Sequence, residues 1–287
     1  MIADAFDYVV AGSAAAAHEL LHEHDGNSVV LGGGTWVIPE LDQGDRRVEL
    51  VVDLTHAGLG AVTVSDAGIG IGAMCSYADL LDSADVARLA PLLRLMASGV
   101  TGGPQIRCQA TIGGSMAAAR AGFDAPTALV ALDATVAVLG TTGLRRVPAS
   151  ELLRGDRQTT LTRDEIITGF EITRDARASS SGYCKLKRSQ SSWPIVTAAA
   201  TITYGGEGPA GARVAVGGVA TVPVVVTLDG DELTSCDLRA LLAARIPERM
   251  GAPFADVLAP HGYRAAVAPV AASRALADAL ATPGEVR

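Results

Sequence analysis

The sequence predicts an α+β fold in two parts: a larger N-terminal region of mixed strands and helices, then a smaller region of strands followed by helices. Three observations predict it. The 287 residues exceed the ~100–200 typical of one domain. The apolar pattern alternates between strand and helix over about the first fifty residues. From residue 60 it takes the period of two that is typical of β-hairpins.

The elements follow from these patterns in chain order. An Ala/Leu-rich stretch predicts a helix over 13–24, and short apolar runs predict strands over 28–31 and 48–54, which together make a small α/β unit. Beyond it we predict hairpins at 62–72 and 135–147, helices at 77–81 and 86–97, and a strand at 166–172.

The C-terminal part begins after a polar stretch over 174–182 that has the composition of a linker. Apolar runs then predict strands over 196–204 and 213–219, and helical patterns follow at 237–246 and 264–281.

Composition excludes several classes of function. The net charge is −8, from 23 basic and 31 acidic residues, so the basic footprint of a nucleic-acid-binding protein is missing. The mean hydropathy is +0.30, but no apolar run reaches the ~18 residues of a transmembrane segment. Acidic residues stand at the N-terminus where a signal peptide needs basic ones. We therefore expect a soluble, cytoplasmic protein.

The cysteines at positions 75, 108, 184 and 236 form no CxxC pair, so no zinc ribbon or iron–sulfur cluster is expected on this chain. We predict that they are reduced, buried thiols. Redox chemistry would then require a bound cofactor.

Two short motifs match functional patterns in an unsuitable context. His18-Glu19-Leu20-Leu21-His22 has the HExxH form of zinc hydrolases, but no third metal ligand follows it, and a solvated helix face is the alternative. The stretch 68–73 matches the dinucleotide fingerprint, yet its glycines alternate with isoleucines inside a predicted hairpin strand instead of joining a strand to a helix. Alternating glycines there would give a narrow strand face on which another backbone or an aromatic ring could lie.

Two glycine-rich segments carry the strongest signal. The first glycine segment comprises Leu31, Gly32, Gly33, Gly34, Thr35 and Trp36, and the second comprises Thr111, Ile112, Gly113, Gly114 and Ser115. Consecutive glycines let backbone N–H groups turn toward one concavity and let a bulky anion approach. The two segments could clamp a pyrophosphate from both sides, or both could be tight turns that bind no ligand.

These segments and their surroundings resemble a known family. Residues 33–39 (GGTWVIP) are similar to a glycine loop of the FAD-binding medium subunits of molybdenum hydroxylases, the carbon monoxide dehydrogenase and xanthine dehydrogenase type. QIR at 105–107 followed by TIGGS at 111–115 resembles their second loop, and Asp124-Ala125-Pro126 resembles the Asp-x-Pro after it. EII at 165–167, YCKLKR at 183–188 and Trp193-Pro194 extend the likeness. It covers essentially the whole chain in order.

The resemblance implies a p-cresol methylhydroxylase/vanillyl-alcohol oxidase type FAD-binding domain at 1–176, with subdomains at about 1–57 and 58–176, and a C-terminal α+β domain at 177–287. FAD would lie between the subdomains, with its pyrophosphate on both glycine segments. Asp124 would accept ribose or ribityl hydroxyls, Lys185 would bring a cation near the flavin, and Ile167 would contact the ring system. We expect Trp193 to be an ordinary core residue rather than a ring contact.

The resemblance also implies a role. The chain would carry electrons from the iron–sulfur clusters of a small subunit to NAD, oxygen, a quinone or another carrier, while a large molybdenum–pterin subunit oxidises the substrate. The complex would be a dimer of heterotrimers, and this chain would contribute neither catalytic residues nor metal ligands. Alternatives are a stand-alone flavin oxidoreductase of the same fold, a zinc hydrolase built on His18, Glu19 and His22, and a scaffold without flavin.

This sequence departs from the family pattern at two places. Trp36 stands where Asp or Ser is usual, and Ala121-Gly122-Phe123 replaces the common run before Asp124. Both departures put the contacts around the ribityl chain or the flavin edge in doubt, whereas backbone contacts to phosphate would survive.

Overall fold

The N-terminal residues form a small parallel sheet in the computed structural model, which describes residues 5–24, 26–173, 179–206, 208–235 and 237–281. Its elements are β1 (Asp7–Val10), α1 (Ala14–Glu23), β2 (Ser28–Leu31), α2 (Val37–Gln43) and β3 (Leu50–Asp53). The strand order is β1-β3-β2. The central strand β3 is buried along its whole length, which explains its continuous apolar sequence.

A larger antiparallel sheet follows, in the order β4-β5-β10-β6-β7. Its elements and those between them are β4 (Val62–Ser65), β5 (Gly68–Gly72), α3 (Tyr77–Asp82), α4 (Ala84–Leu89), α5 (Pro91–Ser98), α6 (Gly103–Gln109), α7 (Ile112–Ala118), α8 (Asp124–Ala131), β6 (Thr135–Gly140), β7 (Gly143–Pro148), α9 (Ala149–Leu152), β8 (Leu153–Gly155), β9 (Gln158–Thr159) and β10 (Ile166–Thr173).

Both predicted hairpins are confirmed, because β4 pairs with β5 and β6 with β7. The fingerprint-like glycines therefore lie inside strand β5. A Cβ on Gly72 would lie 2.1 Å from the carbonyl oxygen of Leu59, so this glycine admits the close passage of another backbone segment.

The single helix predicted over 86–97 is wrong, because α4 ends before Ala90 and α5 begins at Pro91. Ala90 has φ −140° and ψ 56°. A proline disfavours helical geometry in the residue before it, so the apolar pattern continues while the helix does not.

The C-terminal part is an antiparallel sheet with helices on one side. It contains β11 (Ser179–Lys187), β12 (Pro194–Gly205), β13 (Gly208–Gly217), β14 (Val224–Asp229), α10 (Gly230–Ser235), α11 (Leu238–Glu248) and α12 (His261–Ala281), with the strands in sequential order. The predicted linker is wrong over 179–182, which begins β11, and β14 was not predicted. The rest of that linker, 174–178, lies outside the described residues, as does the predicted domain boundary.

The two faces of this C-terminal sheet have different partners. On β12, Val196, Ala198, Ala200 and Ile202 join an apolar core with α11 and α12, whereas Ala199 joins the core of the central helices. This follows from the alternation of side chains along a strand. The second face packs on α5 and α8, and it brings β11 to the region of the second glycine segment.

The cysteines differ in burial. Cys75 is buried and Cys184 is half-buried, but Cys108 is exposed, so the expectation of buried thiols is wrong there: α6, which carries it, has no buried residue. Cys236 lies outside the described residues. Within the described ranges, no helix is long and apolar enough to cross a membrane.

Candidate functional site

The two glycine segments meet at a cavity of about 570 Å³. The first follows β2 and the second begins α7, and the first passes closely against the backbone that leads into the second. A Cβ on Gly33 would lie 1.6 Å from the carbonyl oxygen of Gln109, and one on Gly32 would lie 3.0 Å from Thr111 Oγ1. Only glycine permits this approach. The structure thus brings these two distant segments to one cavity.

Three further glycines serve different purposes. Gly34 has a φ of +71°, in the left-handed region that favours glycine. Gly113 packs against Ala73, whose Cβ and carbonyl oxygen would each lie 2.6 Å from an added Cβ. Gly114 faces the cavity and would meet only Thr111 Oγ1, at 2.9 Å. It keeps open a space that any larger side chain would fill.

The backbone N–H groups of the two segments are not equivalent. In the second segment, Ile112, Gly113 and Ser115 donate to backbone carbonyls at 2.9–3.0 Å, and Gly114 donates to Thr111 Oγ1 at 3.1 Å. Within the described part of the chain, no backbone hydrogen bond uses the N–H of Gly33, Gly34 or Thr35 as donor. The first segment thus has free amides for an anion, whereas the second offers space and hydroxyls.

Asp124 lies at the cavity wall, at the first position of α8, and its carboxylate is hydrogen-bonded by side chains that do not line the cavity. Its carboxylate accepts hydrogen bonds from Tyr183 Oη at 2.5 Å and from Lys185 Nζ at 2.9 Å. The side chains of Asp124 and Lys185 are only 10% and 7% exposed. Burial raises the pKa of Asp124 and lowers that of Lys185, while their ion pair opposes both shifts.

The two departures from the family pattern contact each other at the cavity. The Trp36 ring meets Phe123 edge-on, with centroids 5.5 Å apart, and Phe123 stacks on Trp193 at 5.3 Å. The guanidinium groups of Arg120 and Arg157 lie 5.0 and 5.5 Å from the Trp36 ring centroid, within cation–π range. The expectation of a core Trp193 is wrong, because it is 51% exposed and lines the cavity.

Most of the predicted site residues line the cavity: Gly32, Gly33, Gly34, Thr35, Trp36, Thr111, Gly113, Gly114, Ser115, Asp124 and Ile167. Leu31, Ile112 and Lys185 do not. Leu31 and Ile112 are buried in apolar clusters behind the two segments, and Lys185 is directed toward Asp124 and away from the cavity.

Several residues that shape the cavity were not predicted. Tyr77 donates to Ser115 Oγ at 2.6 Å, and burial raises the pKa of Tyr77 well above its usual value. Glu40 accepts from Trp36 Nε1 at 2.8 Å and from Arg46 at the same distance. Neither Tyr77 nor Glu40 lies in one of the motifs singled out in the sequence, so no sequence signal marked them.

The HExxH histidines lie away from this cavity. His18 Nδ1 is 2.8 Å from the backbone oxygen of Asp164 and His22 Nδ1 is 3.5 Å from its carboxylate, while Glu19 is exposed. Among the described residues, no three potential ligands are placed to hold a metal. This arrangement gives the zinc alternative no support.

Sequence and structural likeness agree with this geometry. Residues 4–174 match the family described as the FAD binding domain in molybdopterin dehydrogenase. The chain is 31% identical over 282 residues to subunit alpha of the 6-hydroxypseudooxynicotine dehydrogenase complex of Paenarthrobacter nicotinovorans, covering 96% of this chain and 94% of that one. It is equally identical, over 285 residues, to the carbon monoxide dehydrogenase medium chain of Afipia carboxidovorans, covering 98% and 99%.

The fold likeness is closer than the sequence identity alone indicates. The structure matches carbon monoxide dehydrogenase from Hydrogenophaga pseudoflava with a TM-score of 0.90 at 27% identity, over 98% of this chain and 99% of that one. The free amides of the first glycine segment, the open space over Gly114 and the aromatic rings suit a dinucleotide with a planar ring system. The chain belongs to the FAD-binding medium subunits of the molybdenum hydroxylases, as an oxidoreductase subunit with FAD as its cofactor.

Proposed function

We propose that this chain is the electron-transfer subunit of a molybdenum hydroxylase, taking electrons from iron–sulfur clusters of a small subunit and passing them to an external acceptor. The observation that carries the proposal is the cavity where the two glycine segments meet. Bound FAD supplies two-electron redox chemistry that no side chain provides. NAD, a quinone and oxygen are the acceptor classes to test.

The cofactor contacts belong to the same proposal. The pyrophosphate lies on Gly32 to Trp36 and on Thr111 to Ser115, and the free amides of Gly33, Gly34 and Thr35 support this. Asp124 accepts sugar or ribityl hydroxyls, since a carboxylate would repel phosphate. Ile167, buried at the cavity wall, supplies apolar contact to the ring system.

The nature of the cavity wall supports dependence on partner subunits. A stand-alone oxidoreductase would need a general base beside its organic substrate. The described residues that line the cavity include no histidine, cysteine or lysine. Each of the three carboxylates among these residues has partners that favour its ionised form: Glu40 bonds Trp36 and Arg46, Glu165 bonds Arg145, and Asp124 bonds Tyr183 and Lys185. None of them is an unpaired general base.

The assembly is part of the proposal as well. We propose a large molybdenum–pterin subunit and a small iron–sulfur subunit as partners, in a dimer of heterotrimers. Within this chain, residues 1–176 would form the FAD-binding domain and 177–287 the second domain. A cytoplasmic location stays a prediction.

The test is anaerobic reduction of the flavin in the purified chain and in the complex assembled with its genomic neighbours. We expect flavin absorbance near 450 nm to bleach with substrate only when the molybdenum and iron–sulfur subunits are present. Bleaching of the isolated chain by an organic substrate would instead establish the stand-alone oxidoreductase.

A further inference from the structure

The Asp124 carboxylate is fixed by two side chains that reach it from the C-terminal sheet. Tyr183 and Lys185 stand two residues apart on β11, so their side chains lie on the same face of the strand. Cys184 and Leu186 point to the other face and pack against the core with α11 and α12. The β11 strand thus presents a hydroxyl and an ammonium group together to the first residue of α8.

Lys185 has no hydrogen left for a ligand. An ammonium group has three donors, and Nζ lies 2.8 Å from the carbonyl oxygen of Gly99, 2.9 Å from Asp124 Oδ2 and 3.3 Å from Thr101 Oγ1. Its side chain is 7% exposed, and it is not among the residues that line the cavity. In this geometry, Lys185 acts on the cavity only through Asp124.

Asp124, in contrast, retains acceptor capacity on the cavity side. An ionised carboxylate offers about four lone-pair positions, and the contacts from Tyr183 and Lys185 use two of them. The hydrogen bonds fix the orientation of both oxygens, and the positive charge of Lys185 favours the ionised form. Tyr77 and Lys187 are the other titratable groups that act on Asp124 electrostatically.

We propose that Tyr183 and Lys185 are positioning residues for FAD: they hold Asp124 ionised and oriented at the cavity wall, so that FAD affinity depends on the contact between β11 and α8. The proposal rests on the assignment of the cavity to FAD. It differs from a direct Lys185–flavin contact, because here the effect of Lys185 passes entirely through Asp124.

The experiment measures the FAD dissociation constant of the full chain from pH 6 to 9, by flavin and tryptophan fluorescence. Variants are Asp124→Asn, Tyr183→Phe, Lys185→Met and the double variant Lys185→Met/Asp124→Asn. Tyr204→Phe is the matched control, because Tyr204 bonds Ser180 and does not contact Asp124. We expect this control to stay within about twofold of the parent chain, and Tyr183→Phe to bind about 10-fold more weakly.

The decisive results are the pH profile and the double variant. Without Lys185, the buried Asp124 carboxyl loses the cation that favours its ionised form, so its pKa rises further. Affinity in Lys185→Met should therefore fall as the pH drops from 9 to 6, while Lys185→Met/Asp124→Asn should show no such slope and bind no worse than Asp124→Asn alone. Lys185→Arg should restore a flat profile.

Additive losses in the double variant would overturn the proposal in favour of direct contact. Parent-like affinity in Tyr183→Phe together with a flat profile in Lys185→Met would also overturn it. If Lys185→Met fails to fold, Tyr183→Phe and Asp124→Asn are compared singly and combined. A double variant that binds no worse than Asp124→Asn supports the proposal, and additive losses overturn it. None of these outcomes depends on electron transfer, so the proposed role of the chain is tested separately.

Discussion

Single glycines at this site meet different physical requirements, although their sequence context looks uniform. Gly33 is required by the close passage of Gln109, and Gly34 by its left-handed backbone. Gly114 is required by neither, since no positive φ is recorded for it. An added Cβ would meet Thr111 Oγ1 at 2.9 Å and would otherwise enter the space that the glycine leaves in the cavity, which makes Gly114 a direct test of ligand binding.

Gly114→Val should weaken FAD binding about 10- to 100-fold, because two methyl groups would enter the space left for the cofactor. Helix α7 should persist, since valine has a somewhat higher helix propensity than glycine. Thr111 Oγ1 would have to move, at the cost of about 1 kcal/mol for a lost helix cap. The measurement is flavin content per chain by absorbance.

The matched control is Gly262→Val, which places the same side chain in the first turn of α12, where nothing lies within 4 Å of an added Cβ. It should keep its full flavin content. If Gly114→Val also retained one FAD per chain, the second glycine segment would be a structural turn without a role in binding.

Intrinsic fluorescence should report on the cavity alone, because both tryptophans of the chain line it. We expect FAD to quench tryptophan emission in a saturable way, since flavin absorption overlaps that emission. Trp36→Phe and Trp193→Phe should each leave a single emitter that FAD still quenches. Unchanged emission in a chain that holds stoichiometric FAD would place the cofactor away from the aromatic rings.

At the scale of elements, the sequence predicted those helices and strands whose apolar residues follow a single local spacing. Both hairpins and the helix α1 were predicted within a few residues, because alternation and helical spacing are local patterns. The break before Pro91 was missed, since the apolar pattern of α4 continues into α5. The start of β11 looked like a linker because Ser179 to Gly182 are small and polar. Gly182 is small for a tertiary reason: a Cβ there would lie 2.0 Å from the carbonyl oxygen of Ala275 in α12.

The site was predicted to a different extent for each kind of residue. The glycine segments were identified from their sequence and their likeness to a family. The contacts of Trp36 with Phe123 and of Tyr183 with Asp124 join residues 87 and 59 positions apart, and no local pattern encodes such pairs. Lys185 was predicted at the site, but its hydrogen bonds with Gly99 and Thr101 could only come from the fold.

The C-terminal sheet packs on α8 around a buried hydrogen bond between Thr127 and Thr197. Their hydroxyl oxygens are 3.0 Å apart and both residues are almost fully buried. Thr127→Val or Thr197→Val should each lower the free energy of unfolding by about 1–3 kcal/mol, because the remaining hydroxyl loses its partner. The double variant should lose less than the sum, as measured by urea unfolding.

Thr203→Val is the control for this cycle. Thr203 lies on the same strand, but its hydroxyl bonds Gly211 of the adjacent strand. Its effect should add to that of Thr127→Val. If the losses in unfolding free energy from Thr127→Val and Thr197→Val were also strictly additive, the hydrogen bond between the two hydroxyls would not contribute to stability.

At the scale of the whole molecule, the cavity exists only in the folded chain. Its wall combines the end of β2, the start of α7, the start of α8 and Trp193 before β12. These parts are far apart in sequence, so the unfolded chain cannot hold them around a ligand. FAD bound in this cavity, as proposed above, would therefore be coupled to the folding of both the N-terminal and the C-terminal parts.

This coupling predicts that FAD stabilises the chain by an amount set by its own affinity. A ligand that binds only the folded state at 100 times its dissociation constant adds about 2.7 kcal/mol to the free energy of unfolding. Urea unfolding of the flavin-free chain, with and without FAD at that concentration, should show this gain, and Gly262→Val should show it too. Gly114→Val should gain much less stability at the same FAD concentration. Riboflavin should stabilise the parent chain less than FAD does, because it lacks the pyrophosphate that the free amides of the first glycine segment would bind. Equal stabilisation of Gly114→Val and Gly262→Val would contradict the assignment of the cavity, since the linkage would then come from another site.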